Sequence, residues 1–346
     1  MTLATSCDPS KYRSFTAVKS EGWMSGQLRK LGLTPLFVDA TGSFNLKYLF
    51  QLVHIVRKYK IDIIQSHLFG SNVYCSLAGL ICRVPVISVF HGFVDITPAN
   101  KLLGIKFKIL NMGSTFVVFV SQSLKKAFLK DGMVAADKSV VIYNGVDTHR
   151  FTRKRDQSIR NQLGLSDTDI VIGSIGDVRQ AKGYDDLLHS AAILVKRSKK
   201  YKFIIAGDTS GSLYDELLQL RDRLGLNEHL FFLGFREDVT RVLNNFDIFL
   251  LSSTTEGFSI ATIEAMACGL TVVVTRSGGP EEIVSDGENG LLVDVASPPQ
   301  IAAALERVTN DQPLRERLES GARETVISKF SMDAMMRAYE KIYDGL

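Results

Sequence analysis

The stretch FDIFLLSSTTEGFSIATIEAMACGLTVVVT, residues 246–275, holds a whole folding unit. FDIFLLSS (246–253) is an apolar run rich in β-branched and aromatic residues and ended by serines, which predicts a buried strand. After the turn Thr254-Thr255-Glu256-Gly257, Ser259 is placed to N-cap a helix, IATIEAMAC, and Gly269 stands at the C′ position that ends it. LTVVVT (270–275) is then a second strand. A continuous apolar strand, a helix and another such strand predict a parallel sheet with helices on both faces.

The same alternation runs outward through the second half. DIVIGSIGD (169–177), KFIIAGD (202–208), HLFFLGF (229–235) and GLLVD (290–294) are further strands, with helical periodicity in YDDLLHSAAILVKRSKK and SLYDELLQLRDRLG between them. The first half repeats the plan, with TLATS, PLFVDA, DIIQSH, VPVISVF, TFVVFVS and SVVIYNG as strands and LKYLFQLVHIVRKYK as an amphipathic helix. With 346 residues the chain is long enough for two such domains. The polar stretch NGVDTHRFTRKRDQSIRNQLGL predicts a linker, giving domains 1–150 and 151–328. A C-terminal helix over 329–346 is expected to pack back on the first domain.

Composition narrows the class. An apolar fraction of 45% and a charged fraction of 23% are those of a soluble globular protein. Cys7, Cys75, Cys82 and Cys268 show no CxxC spacing, so neither a zinc site nor a disulfide framework is implied, and a reducing cytoplasm fits. The apolar stretches are shorter than the roughly 18 residues of a membrane span. Residues 1–150 hold 18 Lys and Arg against 8 Asp and Glu, while the remainder holds 23 against 29. The basic half suits an anionic partner, the candidate being a membrane's inner face, or it is a solvated charge excess. KLLGIKFKIL (101–110), with Lys101, Lys106 and Lys108 among apolar residues, is either a lipid-facing segment or a core helix with lysines on its wet side. No nucleic-acid recognition motif accompanies the basic residues.

In open α/β sheets, ligands bind outside the carboxyl ends of the strands. There, SIGDVRQAKGYDDLL brings Gly176, Gly183, Arg179 and Lys182 to a loop before a helix, suited to a phosphate, although an exposed basic loop reads the same way. Glu256 falls on the next such loop, beside Gly257, and Glu264 falls on the helix after it. A glutamate early in a helix complements the dipole, which accounts for Glu264 without a ligand. It does not account for Glu256. An ionised carboxylate accepts several hydrogen bonds, so the two suit hydroxyl-rich groups, and a ligand with phosphate at one end and polyols at the other is a nucleotide sugar. Gly278, Gly279 and Pro280 form a further strand-end turn, and SVFHGF sets His91 beside Gly92, where a structural histidine and a site histidine are both admissible.

The order NGVD (144–147), RQAKG (179–183), LGFRED (233–238), EGFSIATIEAMACG (256–269) and GGPEEIVSDGENGLLV (278–293) resembles the retaining glycosyltransferases of family 4. The resemblance implies the GT-B fold, an α/β architecture of two Rossmann-like doubly wound parallel-sheet domains facing a cleft. It implies that Glu264 binds the donor ribose, that Glu256 and the backbone of Gly257, Phe258 and Ser259 hold the transferred sugar, and that Arg179 and Lys182 neutralise the leaving diphosphate. His91 matches the family's histidine that touches the donor sugar. Transfer with retention by front-face attack follows from the same resemblance, with no metal and no cofactor beyond a UDP- or GDP-hexose.

The acceptor implied is a sugar or a lipid-linked oligosaccharide in surface polysaccharide synthesis, at a cytoplasmic or inner-membrane location. A non-catalytic nucleotide-sugar-binding protein and an epimerase or hydrolase of the same fold are the alternatives. Two departures stand out. Asp177 occupies a position where many members carry arginine, and TLATS has no glycine-rich loop around it, so the family's first strand, loop and helix are expected to be missing.

Overall fold

The computed structural model describes residues 2–41, 45–93, 96, 102–154 and 156–346. The chain forms two compact units, one running up to Tyr143 and including Met335–Leu346, the other spanning Asn144–Ala334.

In the first unit β1 (Thr16–Val18) pairs in parallel with β2 (Pro35–Phe37). A separate parallel sheet has the order β3 (Ile64–His67), β4 (Val86–Phe90), β5 (Phe116–Phe119) and β6 (Ser139–Val141). The helix Leu46–Lys58 starts where the side chain of Asn45 accepts the Tyr48 N–H at 2.9 Å, and it buries Tyr48, Leu52, Val53 and Val56. Tyr48, Leu52 and Val53 pack with Val38, Cys75, Ala78 and Val86, so the helix period seen in the sequence is the period of a core-facing stripe. At the C-terminal end, Tyr343 donates to Gln65 Oε1 and Tyr12 donates to Asp344 Oδ1 at 2.5 Å, which ties the last helix to this unit.

The second unit holds one six-stranded parallel sheet: β7 (Ile170–Ile175), β8 (Tyr201–Ala206), β9 (Leu230–Phe232), β10 (Ile248–Leu251), β11 (Thr271–Thr275) and β12 (Leu291–Val293). The order is β12-β11-β10-β7-β8-β9. Both β10 and β11 are buried along their whole length, as parallel strands covered on two faces must be. Each such Leu, Ile or Val contributes roughly 1.5–3 kcal/mol. On β7, Gly173 makes room for Phe246, whose ring lies 2.0 Å from where a Cβ would stand. Because β7 lies between β8 and β10, strand order reverses beside it, and the loops leaving β7 and β10 flank the switch point where such sheets bind ligands.

One expectation is corrected. TLATS is a helix, Thr2–Ser6, with Cys7 Sγ donating to Leu3 O one turn back; the strand of this region is β1, none of whose residues is buried, so it forms no apolar run. By compactness the division falls between Tyr143 and Asn144, so the polar stretch that follows lies with the second unit. Arg160, in the short helix Ser158–Gln162, is buried, pairs with Asp247 at 2.6 Å and donates to the carbonyls of Asn245 and Asp169. Arg323 donates to the carbonyls of Thr148, Phe151 and Ala267. Among the described residues no helix is long and apolar enough to cross a membrane.

Candidate functional site

Three loops meet at the carboxyl ends of β7, β10 and β11. The first leaves β7 at Gly176 and ends at Gly183, which caps the helix Tyr184–Arg197 in the left-handed conformation, φ 57°. A Cβ on Gly183 would stand 2.3 Å from Ser252 O, so only glycine lets this loop lie against the exit of β10. Two hydrogen bonds hold them together: Ser252 Oγ donates to Lys182 O at 2.9 Å, and the Thr254 N–H donates to Ala181 O at 2.9 Å. The third loop joins through Glu256, whose N–H donates to Ser277 O at 2.7 Å and whose carbonyl accepts from the Gly279 N–H at 3.0 Å. Gly279 is again forced, since a Cβ there would lie 2.6 Å from Gly257 O.

This backbone frame brings two predicted residues into contact. Lys182 Nζ lies 2.7 Å from Glu256 Oε1, with the side chains only 24% and 13% exposed. Ser253 Oγ donates to the same oxygen at 2.7 Å. Burial lowers the screening of this pair, so the two charges hold each other more strongly than a surface pair would. Arg179 is placed differently. It is exposed and pairs with Asp177 at 2.9 Å, while the other Asp177 oxygen accepts the Asp208 N–H. Asp177 thus holds the nearby arginine.

Ser259 caps the helix Ile260–Ala267 as predicted, its Oγ accepting from the Thr262 N–H at 3.3 Å, and Gly269 takes φ 69° just past the helix end. The Ser259 side chain is therefore committed to the cap, leaving its backbone for any ligand. Phe258 is buried edge-on against Phe330, with centroids 5.7 Å apart. Glu264 faces the other way in energetic terms: burial raises its carboxyl to about 7, with the cation of Arg150 opposing. Among the described residues no hydrogen bond or ion pair holds this carboxylate. A desolvated carboxylate without a partner is destabilised when charged, and hydroxyl donors relieve that.

His91 belongs to the first unit, at the end of β4. Its Nε2 lies 2.9 Å from Nδ1 of His67 at the end of β3, and the rings stack with centroids 5.2 Å apart. Both side chains are exposed, and desolvation by the crowded surroundings, followed by the neighbouring ring, lowers His67, while desolvation lowers His91 as well. Sequence reasoning treated DIIQSH as a strand and passed over His67. The signal available was a second strand-end histidine on an adjacent parallel strand. Ser253 and Arg150 were likewise not singled out. Among the described residues no group of three or more His, Cys, Asp or Glu could hold a metal ion.

Residues 155–325 match the family described as glycosyl transferases group 1, and residues 6–150 match glycosyltransferase family 4. The chain is 34% identical over 307 residues to a D-inositol 3-phosphate glycosyltransferase of Corynebacterium jeikeium, covering 82% of this chain and 72% of that one. It is 26% identical over 320 residues to the capsular polysaccharide biosynthesis glycosyltransferase CapM of Staphylococcus aureus, covering 90% and 83% respectively. HepE of Anabaena, solved in complex with UDP-glucose, matches with a TM-score of 0.89 at 23% identity over 100% of this chain and 94% of that one. With two Rossmann-like parallel-sheet domains and both family matches in chain order, the protein belongs to the group 1 glycosyltransferases of family 4, of GT-B fold.

Proposed function

We propose that the protein transfers a hexose from a UDP-sugar, with retention, to a carbohydrate or lipid-linked acceptor in surface polysaccharide synthesis. The observation that carries this reading is the junction of the β7 and β10 loops, where Lys182 and Glu256 share one partly buried position and Glu264 stands unpaired on the next helix. Lys182 and Arg179 take the diphosphate, Glu264 the ribose hydroxyls, and Glu256 with the Gly257–Ser259 backbone the transferred sugar. His91 donates to a hydroxyl of that sugar. The bond from the anomeric carbon to the phosphate oxygen breaks with its electron pair going to the nucleotide diphosphate, where Lys182 and Arg179 stabilise the developing charge. The acceptor hydroxyl bonds to the same face of the carbon and gives its proton to the departing phosphate. No step calls for a metal.

The UDP-glucose held by HepE favours uridine over guanosine, and the name of CapM favours a polysaccharide acceptor. A peripheral membrane contact is drawn from the helix Leu103–Gly113, which buries Phe107 and Leu110 but exposes Ile105 and Met112 beside Lys108. Lys101, part of the same expectation, lies outside the described residues. The test is a pair of variants: Glu256→Ala abolishes transfer while UDP still binds, and Glu264→Ala weakens UDP itself. Full activity in both would refute the assignment.

A further inference from the structure

We propose that His67 is a positioning residue that fixes His91 in the tautomer with its proton on Nδ1. The inference rests on the reading that His91 serves the transferred sugar, and it is carried by a chain of hydrogen bonds within the first unit. Strands β3 and β4 pair in register with His67 opposite Val89, so the histidine ending β3 comes beside the one just past β4. Their facing nitrogens, His67 Nδ1 and His91 Nε2, are 2.9 Å apart, and one proton must lie between them.

We assign the polarity of the chain from its far end. The Tyr343 hydroxyl donates to Gln65 Oε1, so the amide of Gln65 turns its N–H group outward. That nitrogen lies 3.4 Å from His67 Nε2, a long contact, but one that a donor makes only with an unprotonated ring nitrogen. A neutral His67 then carries its proton on Nδ1 and donates it to His91 Nε2. The remaining proton of His91 is left on Nδ1, as a donor. An arrangement in which one imidazole is oriented by a second group behind it is the general logic of tuned histidines.

Local structure shows that this corner is held against a cost. Leu68, directly after His67, has φ 72° and ψ 145°, a backbone region disfavoured for leucine, and its side chain is half exposed. Strain of this kind persists only where the surroundings impose it. Here Ser66 Oγ donates to Asn72 Oδ1 at 2.7 Å, and Asn72 Nδ2 donates to Val89 O at 3.1 Å, locking the end of β3 to the helix that follows and to β4.

The direct test is a long-range proton–nitrogen correlation spectrum of the full chain with labelled histidine, near neutral pH. The expected pattern is a protonated Nδ1 and an unprotonated Nε2 for both His67 and His91. In His67→Ala, His91 should shift toward the Nε2-protonated form. His67→Asn, whose amide N–H replaces the lost donor, should restore it. A His91 protonated on Nε2 in the native chain, or a pattern indifferent to His67→Ala, overturns the proposal. In transfer assays His67→Ala should lower kcat about tenfold with donor KM little changed, with recovery in His67→Asn, as expected for one oriented hydrogen bond. Loss in His67→Asn equal to that in His67→Ala would also count against it. Full transfer by His91→Ala refutes the role given to His91 in the reaction, a separate result, since the spectrum reports the pairing without turnover.

Discussion

On the proposed assignment, Glu264 should make nucleotide-sugar binding pH-dependent. Raising a carboxyl from 4.5 to about 7 by burial costs the ionised form about 3 kcal/mol. Between those two values the folded empty protein keeps a proton that the unfolded chain has released. This group's contribution to stability is therefore complete below pH 4.5 and is lost as pH rises through 7. On the proposed assignment ribose hydroxyls donate to the carboxylate, so the bound state needs Glu264 ionised and binding expels the proton. The affinity for UDP-glucose should then weaken about tenfold for each pH unit below 7 and level off above it. UDP-glucose is the ligand to use, because free UDP has a terminal phosphate that titrates near pH 6. Calorimetry in two buffers of different ionisation enthalpy measures both the affinity and the proton released. Glu264→Gln should bind more weakly above pH 7 but without the slope. A pH-independent affinity in the native chain, or the same slope in Glu264→Gln, would refute the reasoning.

The Lys182–Glu256 pair should show energetic coupling before any ligand arrives. Lys182→Met leaves a largely buried carboxylate alone and should cost about 2 kcal/mol, while Lys182→Met combined with Glu256→Gln should cost less than the sum by about 1–2 kcal/mol. Urea denaturation measures both, and strict additivity would dismiss the coupling. For the membrane contact, binding to vesicles containing anionic lipid should be present at low salt and fall steeply as salt rises. Absence of binding at low salt removes that part of the proposal.

Legibility in the sequence followed burial. The strands of the second unit lie under two layers of helix, so each was a continuous apolar run ended by Gly, Asp or Ser, and all of them stood out. In the first unit β1 has no buried residue and stands between charged stretches, so it leaves no apolar run to find. The stretch after Asn144 conceals its packing for a different reason. Arginine marks exposed linkers in most sequences, but Arg160 is buried here and satisfies backbone carbonyls. Composition records polarity and says nothing of where a polar atom is spent. For the site, Glu256 was legible because no helix accounted for it. His67 was not, because its meaning depends on the pairing of two strands more than twenty residues apart.

The two places where the chain passes between the units lie side by side in the second one. The Val146 N–H donates to Phe330 O at 2.9 Å, and the Met332 N–H donates to Val146 O at 2.9 Å. Asn144–Ala334 is thus a single continuous segment whose ends are clasped together, whereas the first unit is assembled from two separated pieces of chain. Residues 144–334 can therefore be excised, or given new termini by permutation, without opening the sheet or breaking a strand. Produced alone, that segment should melt cooperatively and keep its grip on uridine nucleotides, and a fragment that failed to do so would show that the clasp is not enough. The corresponding excision of the first unit would need an engineered join between Tyr143 and Met335 to keep Tyr343 beside Gln65.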